Sequence, residues 1–397
     1  MVLDLVPIWT ALLALAVFYY VVFDGFDLGV GMLYGLVRSE EDRRIVMNSI
    51  APVWDGNETW LIFGGLGLLV AFPLAFAIII PAVYFPVLIM LLALVFRGVA
   101  FEFRFKQRAL RRFWDGAFCG GAILATFAQG VVLGTFIQGF KVDGRHFTGS
   151  SFDWVSPFPL AIGLALMFGY SLLGAGWLIL KTEGDLQDWA RRAGTVCLIL
   201  VLVAILGVSI WTPMSHAEIA QRWFSWPNIG FLSPVPIITA LIAIGEWYAL
   251  RRRYDLMPFV GAMGLFLMSF IGIAISLWPM IVPYHYTLWQ AASSPSPRRR
   301  SAGTRRCGRG WRWGPPRGTR ARVRSRRGRT SHCRDHRRNR TAPPWWVSAL
   351  PFRDHWRRCA RPVFDEADCR VRHSRNRTND QDRFCTMAQH RRGMGIA

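Results

Sequence analysis

The first sign of chemistry in this chain is a pair of carboxylates set three residues apart inside a long apolar run. They are Asp24 and Asp27, in Phe23-Asp24-Gly25-Phe26-Asp27-Leu28-Gly29-Val30-Gly31. That spacing places both on one helix face. The run begins near Pro7, so Asp24 lies about 25 Å along it at 1.5 Å per residue, beyond the middle of a bilayer. A carboxylate at such depth costs about 2.5–3.5 kcal/mol on insertion scales, so the pair should face the protein interior and hold a partner. Gly25, Gly29 and Gly31 suit close helix approach. The two acids read either as a proton-exchanging pair or as half of a structural ion pair.

Further polar groups fall near the same end. Asn48-Ser-Ile-Ala-Pro-Val-Trp-Asp-Gly-Asn-Glu-Thr-Trp60 puts Asp55 and Glu58 three apart between Trp54 and Trp60, at the mouth of the next apolar run. They are proton-route candidates or simply a solvated helix start. The third run ends Phe96-Arg97-Gly-Val-Ala-Phe-Glu102-Phe-Arg104. Arg97 stays charged, and its least costly deep position is against a carboxylate, so it is expected to pair with Asp24, Asp27 or Asp55. Glu102 is a second candidate charge partner. Such a string of titratable groups is what proton conduction needs, because burial and an arginine pull a carboxyl in opposite directions. The bland alternative is a static charge cluster that locks three helices together.

Other chemistries are poorly supplied. His146, His216 and His285 fall in loops or at their edges, whereas haem ligation within a bundle wants a histidine on an inward helix face. Cys119 and Cys197 are far apart in sequence, so neither a disulfide framework nor a metal cage is expected. Gln129 and Gln138 read as helix bridges, and Glu246 with Trp247 as interfacial anchors. No phosphate loop, dinucleotide fingerprint, zinc spacing or nucleophile triad occurs.

The elements that must position these groups are membrane helices. Apolar runs of about the 20 residues needed to cross a bilayer recur at 7–37, 60–80, 82–103, 115–139, 158–180, 195–212, 231–250 and 257–282. The fold class predicted is all-α, a polytopic transmembrane bundle of eight spans. Asp4 near the start argues against a cleavable signal, so the first span is expected to be retained. Gaps after the odd-numbered spans hold fourteen Lys and Arg and the alternate gaps three, which sets the N-terminus outside. Two four-helix halves, 1–139 and 158–293, joined by an outer loop at 140–157, are expected.

Residues 294–397 differ in kind. They hold 29 arginines, no lysine, seven acids and five of the seven cysteines, and so account for the whole net charge of +22. An arginine-rich tail could bind nucleic acid or anionic lipid. Arginine without lysine, cysteines without ligand spacing and charge on the outer side favour a disordered frameshift product of a GC-rich gene, and no nucleic-acid partner is expected.

The quoted motifs, together with Gln129-Gly-Val-Val-Leu-Gly134, Gly169-Tyr-Ser-Leu-Leu-Gly174, Trp177-Leu-Ile-Leu-Lys-Thr-Glu-Gly184, Pro279-Met-Ile-Val-Pro283 and Thr287-Leu-Trp-Gln-Ala-Ala292, resemble subunit II of cytochrome bd quinol oxidases, over residues 5–295. Glu58-Thr-Trp60 leans toward the cyanide-insensitive branch. The resemblance implies a bacterial inner-membrane chain that binds no haem directly. It implies a homologous subunit I carrying haems b and d, with quinol and oxygen as substrates of the complex and a structural quinone in some members. It also implies that Asp24, Asp27 and Asp55 belong to a cytoplasmic proton route, with Arg97 the family's nearby arginine. The family's ninth helix has no counterpart after Ser293. The rival from another class is a proton-coupled secondary transporter, which broken helices at matching positions of both halves would favour.

Overall fold

A computed structural model describes residues 4–106 and 109–293. The chain runs α1 (Val6–Tyr34), α2 (Glu40–Ile50), α3 (Trp54–Asn57), α4 (Thr59–Ala71), α5 (Pro73–Ala82), α6 (Tyr84–Lys106) and α7 (Arg111–Gln138). After the hairpin β1 (Val142–Asp143) and β2 (His146–Phe147) come α8 (Pro157–Lys181), α9 (Gly184–Ser215), α10 (Ala217–Phe224), α11 (Asn228–Leu232), α12 (Pro234–Arg252) and α13 (Met257–Leu277). The hairpin β3 (Met280–Val282) and β4 (Tyr286–Thr287) leads into α14 (Leu288–Ala291). The arginine-rich segment, and every expectation placed on it, lies outside the described residues.

Among the described residues, the helices beginning at Val6, Tyr84, Arg111, Pro157, Gly184 and Met257, and α11 with α12 taken together over Asn228–Arg252, are long and apolar enough to cross a bilayer. The remaining apolar run, 60–80, corrects the expectation of one continuous span. Pro73 disfavours helical geometry at the residue before it, and Phe72 sits at φ −133°, ψ 64°. The helix therefore breaks there. The freed Ala71 carbonyl accepts a bond from the Ser293 amide at 2.9 Å, and α5 packs beneath β2, β3 and α14. The 13-residue α4 is only about 20 Å long at 1.5 Å per residue. A second correction concerns α9, which begins at Gly184 rather than at 195. Its first turns carry charge, and a hydropathy reading stops at charge.

One large core runs through both sets of helices. It joins Leu28, Val30 and Leu33 of α1 to Phe118 and Ala122 of α7, Leu173 and Leu178 of α8, and Ala262 and Leu265 of α13. The tightest contact is between α1 and α8. A Cβ on Gly29 would collide with the Tyr170 carbonyl, and one on Gly174 with the Gly29 backbone. Glycine is needed at both places, since the small-residue seam is what lets two membrane helices touch by backbone. This contact holds the acidic stretch of α1 against the second set of helices.

Candidate functional site

The seam places Asp24 and Asp27 side by side, both with no exposed surface. Ten residues separate Asp24 from the end of α1, about 15 Å at 1.5 Å per residue. Arg97, 1% exposed, comes from α6 to the same level and puts Nη2 2.6 Å from Asp27 Oδ1. Of the three carboxylates allowed by sequence, the structure selects Asp27. The N–H vectors do not line up with the carboxylate, so the contact is an ion pair without an aligned hydrogen bond. Nε and Nη1 of Arg97 meet no partner among the described residues, but its guanidinium lies 5.7 Å from the Phe118 ring centre. Breaking a buried pair of this kind typically costs about 3–5 kcal/mol, because one charge is left uncompensated.

Asp24 turns toward α7 and α8. The Gln129 amide donates to Asp24 Oδ2 at 3.3 Å and to the Tyr20 hydroxyl at 2.5 Å, while the Tyr170 hydroxyl donates to Gln129 Oε1 at 2.9 Å. All four side chains are buried, and Oδ1 of Asp24 has no protein partner among the described residues. Sequence reasoning treated Gln129 as a weak helix bridge. It does bridge helices, but its partner is the deepest acid of the site. A usable signal was spacing, since 14 residues separate both Tyr34 from Tyr20 and Asp115 from Gln129, and these antiparallel helices meet at both levels.

Toward the basic end the acids become progressively accessible. Glu58, the residue before α4, is half-buried, and Asp55 of α3 is exposed. Burial pushes the Glu58 carboxyl up to about 7, with the charges of Asp24, Asp27 and Asp55 adding to the rise and Arg97 opposing it. Asn57, between them in sequence, is buried and donates to the Phe23 carbonyl at 3.1 Å, which ties this short helix to α1. Glu102 does not join the group. It is five residues from Arg97, on another face of α6, and pairs at the surface with Lys106 at 3.0 Å. An exposed pair of that sort contributes little.

Beneath the acids lies a clamp that sequence did not reveal. Asp115 accepts from the Tyr34 hydroxyl and from Arg104 Nε at 2.5 Å, and Arg104 Nη2 reaches Glu40 at 2.6 Å. Arg111 also meets Glu40, and Arg43 lies 3.5 Å from Asp115. These groups tie four helices together, α1, α2, α6 and α7. Glu246 is a further correction. It was expected at the membrane interface, yet it is 2% exposed, packs against Gly261 of α13, and has no partner for either oxygen among the described residues. Its neighbour Trp247, about 100° round the helix, keeps the surface position. His216 and His285 bond the backbone carbonyls of Gln138, at the end of α7, and Phe140.

A family model described as cytochrome bd terminal oxidase subunit II matches residues 5–299. A probable cytochrome oxidase subunit 2 of Haemophilus influenzae is 32% identical over 261 residues, covering 63% of this chain and 67% of that protein. The cytochrome bd-I ubiquinol oxidase subunit 2 of Escherichia coli K12 is 28% identical over 324 residues, covering 72% and 86%. The cytochrome bd ubiquinol oxidase subunit 2 of Bacillus subtilis is 30% identical over 280 residues, covering 69% and 81%. Among solved structures, the bd oxidase of Geobacillus thermodenitrificans superposes with a TM-score of 0.61 at 18% identity, covering 73% of this chain and 90% of that one. That likeness concerns the fold.

Proposed function

Because this chain belongs to the cytochrome bd terminal oxidase subunit II family, we propose that it serves as the haem-free subunit of a quinol oxidase in the bacterial inner membrane. In this reading a haem-bearing subunit I, with haems b and d, oxidises quinol and reduces oxygen to water. The present chain stabilises that partner and supplies a proton route from the cytoplasm. The three histidines among the described residues all lie in hairpins or between helices, a donor set that does not fit haem ligation inside the bundle.

The observation that carries the proton role is the graded burial of the acids. Asp55 is exposed, Glu58 half-buried, Asp27 sealed beside Arg97, and Asp24 sealed beside Gln129 with one oxygen unpartnered among the described residues. Conduction needs groups that can take up and release a proton in turn. Asp27 beside Arg97 and Asp24 one turn away supply two such carboxylates in succession. Past Asp24 the side chains of Gln129, Tyr20 and Tyr170 extend a hydrogen-bonded path toward α8. The basic loops at the mouth of this string favour cytoplasmic entry.

The test is oxygen consumption by the purified complex carrying Asp24→Asn, read together with the haem absorption spectrum. Slowed turnover with an unchanged spectrum supports the route. Unchanged turnover rejects it, and a lost haem signal shifts the role of Asp24 to assembly. A secondary transporter fits less well. The break at Phe72 in the second apolar run has no match in α9, its counterpart in the other half, which is continuous over Gly184–Ser215.

A further inference from the structure

A cleft of about 460 Å³ opens at the basic end of the bundle, between the first turns of α9 and the end of α12. It is remote in sequence from every acid of the proton string. Its lining carries four arginines against two aspartates, and the arginines differ in how they are held. Arg253 pairs with Asp188 at 3.2 Å. Arg191 is buried and built in. It donates to the Tyr254 and Arg253 carbonyls at 2.9 and 3.1 Å and to Asp255 at 2.5 Å, leaving its Nε–H without an acceptor among the described residues. Arg192 and Arg251 have no carboxylate partner among the described residues, and Arg251 rests 4.8 Å from the Trp247 ring centre. Asp185 is the only lining acid outside an ion pair among those described, so the cleft keeps an excess of positive charge.

The surroundings indicate what an anion there would be attached to. Trp247, Tyr248 and Tyr254 are partly exposed around the cleft, and aromatic residues of this kind mark the headgroup level of a membrane. From that level α9 presents Val196, Ile199 and Val203 outward, and α12 presents Leu241 and Ile244. A phosphate group held by Arg192 and Arg251 would therefore have exposed apolar surface directly beside it. A free anion has no use for such surface, whereas acyl chains do. Basic pockets between membrane helices are a known way to hold phospholipid headgroups.

We propose that this cleft binds the phosphate headgroup of an anionic glycerophospholipid, with Arg192 and Arg251 as the headgroup ligands and Arg191 as the residue that fixes the α9–α12 geometry. The site is independent of the proton-route reading, and its failure would leave that reading untouched. Native mass spectrometry of the purified oxidase complex tests it, with phosphatidylglycerol, phosphatidylcholine and inorganic phosphate as separate probes. Each arginine near an anionic headgroup contributes about a factor of five. The Arg192→Gln/Arg251→Gln complex should therefore bind phosphatidylglycerol about thirtyfold more weakly than the parent. A matched Arg38→Gln/Arg44→Gln complex, altered at two exposed arginines elsewhere on the basic end, should bind as the parent does. All four arginines replaced are exposed, so folding is not at stake. Equal losses in the two doubles, or none in either, overturn the site. Inorganic phosphate binding as tightly as phosphatidylglycerol overturns the lipid as its occupant.

Discussion

Arg97 Nη2 stands 2.6 Å from Asp27 Oδ1, and both side chains are all but sealed from the surface. Neither charge is tolerable there alone, so each is the reason the other can be present. The pair also ties α6 to α1 at the depth where Asp24 engages Gln129 of α7.

That mutual dependence is measurable. Arg97→Leu or Asp27→Leu alone should lower the stability of the complex by about 3–5 kcal/mol, whereas the double replacement should recover most of the loss. Thermal unfolding of the three complexes decides it. Additive losses would show that the two groups are not energetically coupled.

Turnover should respond to the acids in order of burial. Asp24→Asn removes a protonatable group from a buried position and should slow oxygen reduction by about a hundredfold, in the range typical of losing a positioned proton-transfer group. Asp55→Asn, in an exposed group that solvent can replace, should slow it by much less. Oxygen-electrode rates at matched haem content check the ranking, and the reverse order would place the limiting step at the mouth.

Glu58 sets a pH dependence of known sign. Its carboxyl is raised from an ordinary 4.5 to about 7, so the folded chain holds this proton more tightly than the unfolded one. The associated stability is complete below pH 4.5 and is lost as pH rises through 7. The complex should therefore melt higher at pH 5 than at pH 8, and Glu58→Gln should shrink the difference. A gap of the same size in the variant would assign the dependence to another group.

Gly29→Ala should fail by geometry rather than by charge. The added methyl meets the Tyr170 carbonyl, and overpacking of this sort costs about 1–3 kcal/mol or more. The yield of assembled complex should drop while Gly65→Ala, which meets nothing within 4 Å, leaves it unchanged.

Replacing Gln129 by Leu takes away the acceptor of the Tyr170 hydroxyl and the amide donor to Tyr20 and Asp24. Buried polar groups left unpaired in this way cost about 1–3 kcal/mol. Slower turnover together with lower stability is expected, and wild-type values for both would remove Gln129 from the path.

Much of this was legible without coordinates. Long apolar runs can be satisfied only as membrane helices, because backbone polar groups have no partner in hydrocarbon except each other. The cost of burying Asp24, Asp27 and Arg97 makes their inward facing and their pairing deducible from depth alone. Even the bend at Phe72 was written in the Pro73 that follows it, although hydropathy averages over such a residue and reads through it.

What sequence left open were choices among equals. Asp24, Asp27 and Asp55 were all admissible partners for Arg97, and only the placement of α6 beside α1 selected Asp27. Asp115 and Glu246 looked ordinary because carboxylates near helix ends usually face water, and Gln129 because a glutamine within a span can bond any neighbouring helix. Their roles depend on which neighbouring helix lies opposite. Hydropathy and spacing determine what must leave water, whereas the partner each buried group meets is decided by packing between segments far apart in the chain.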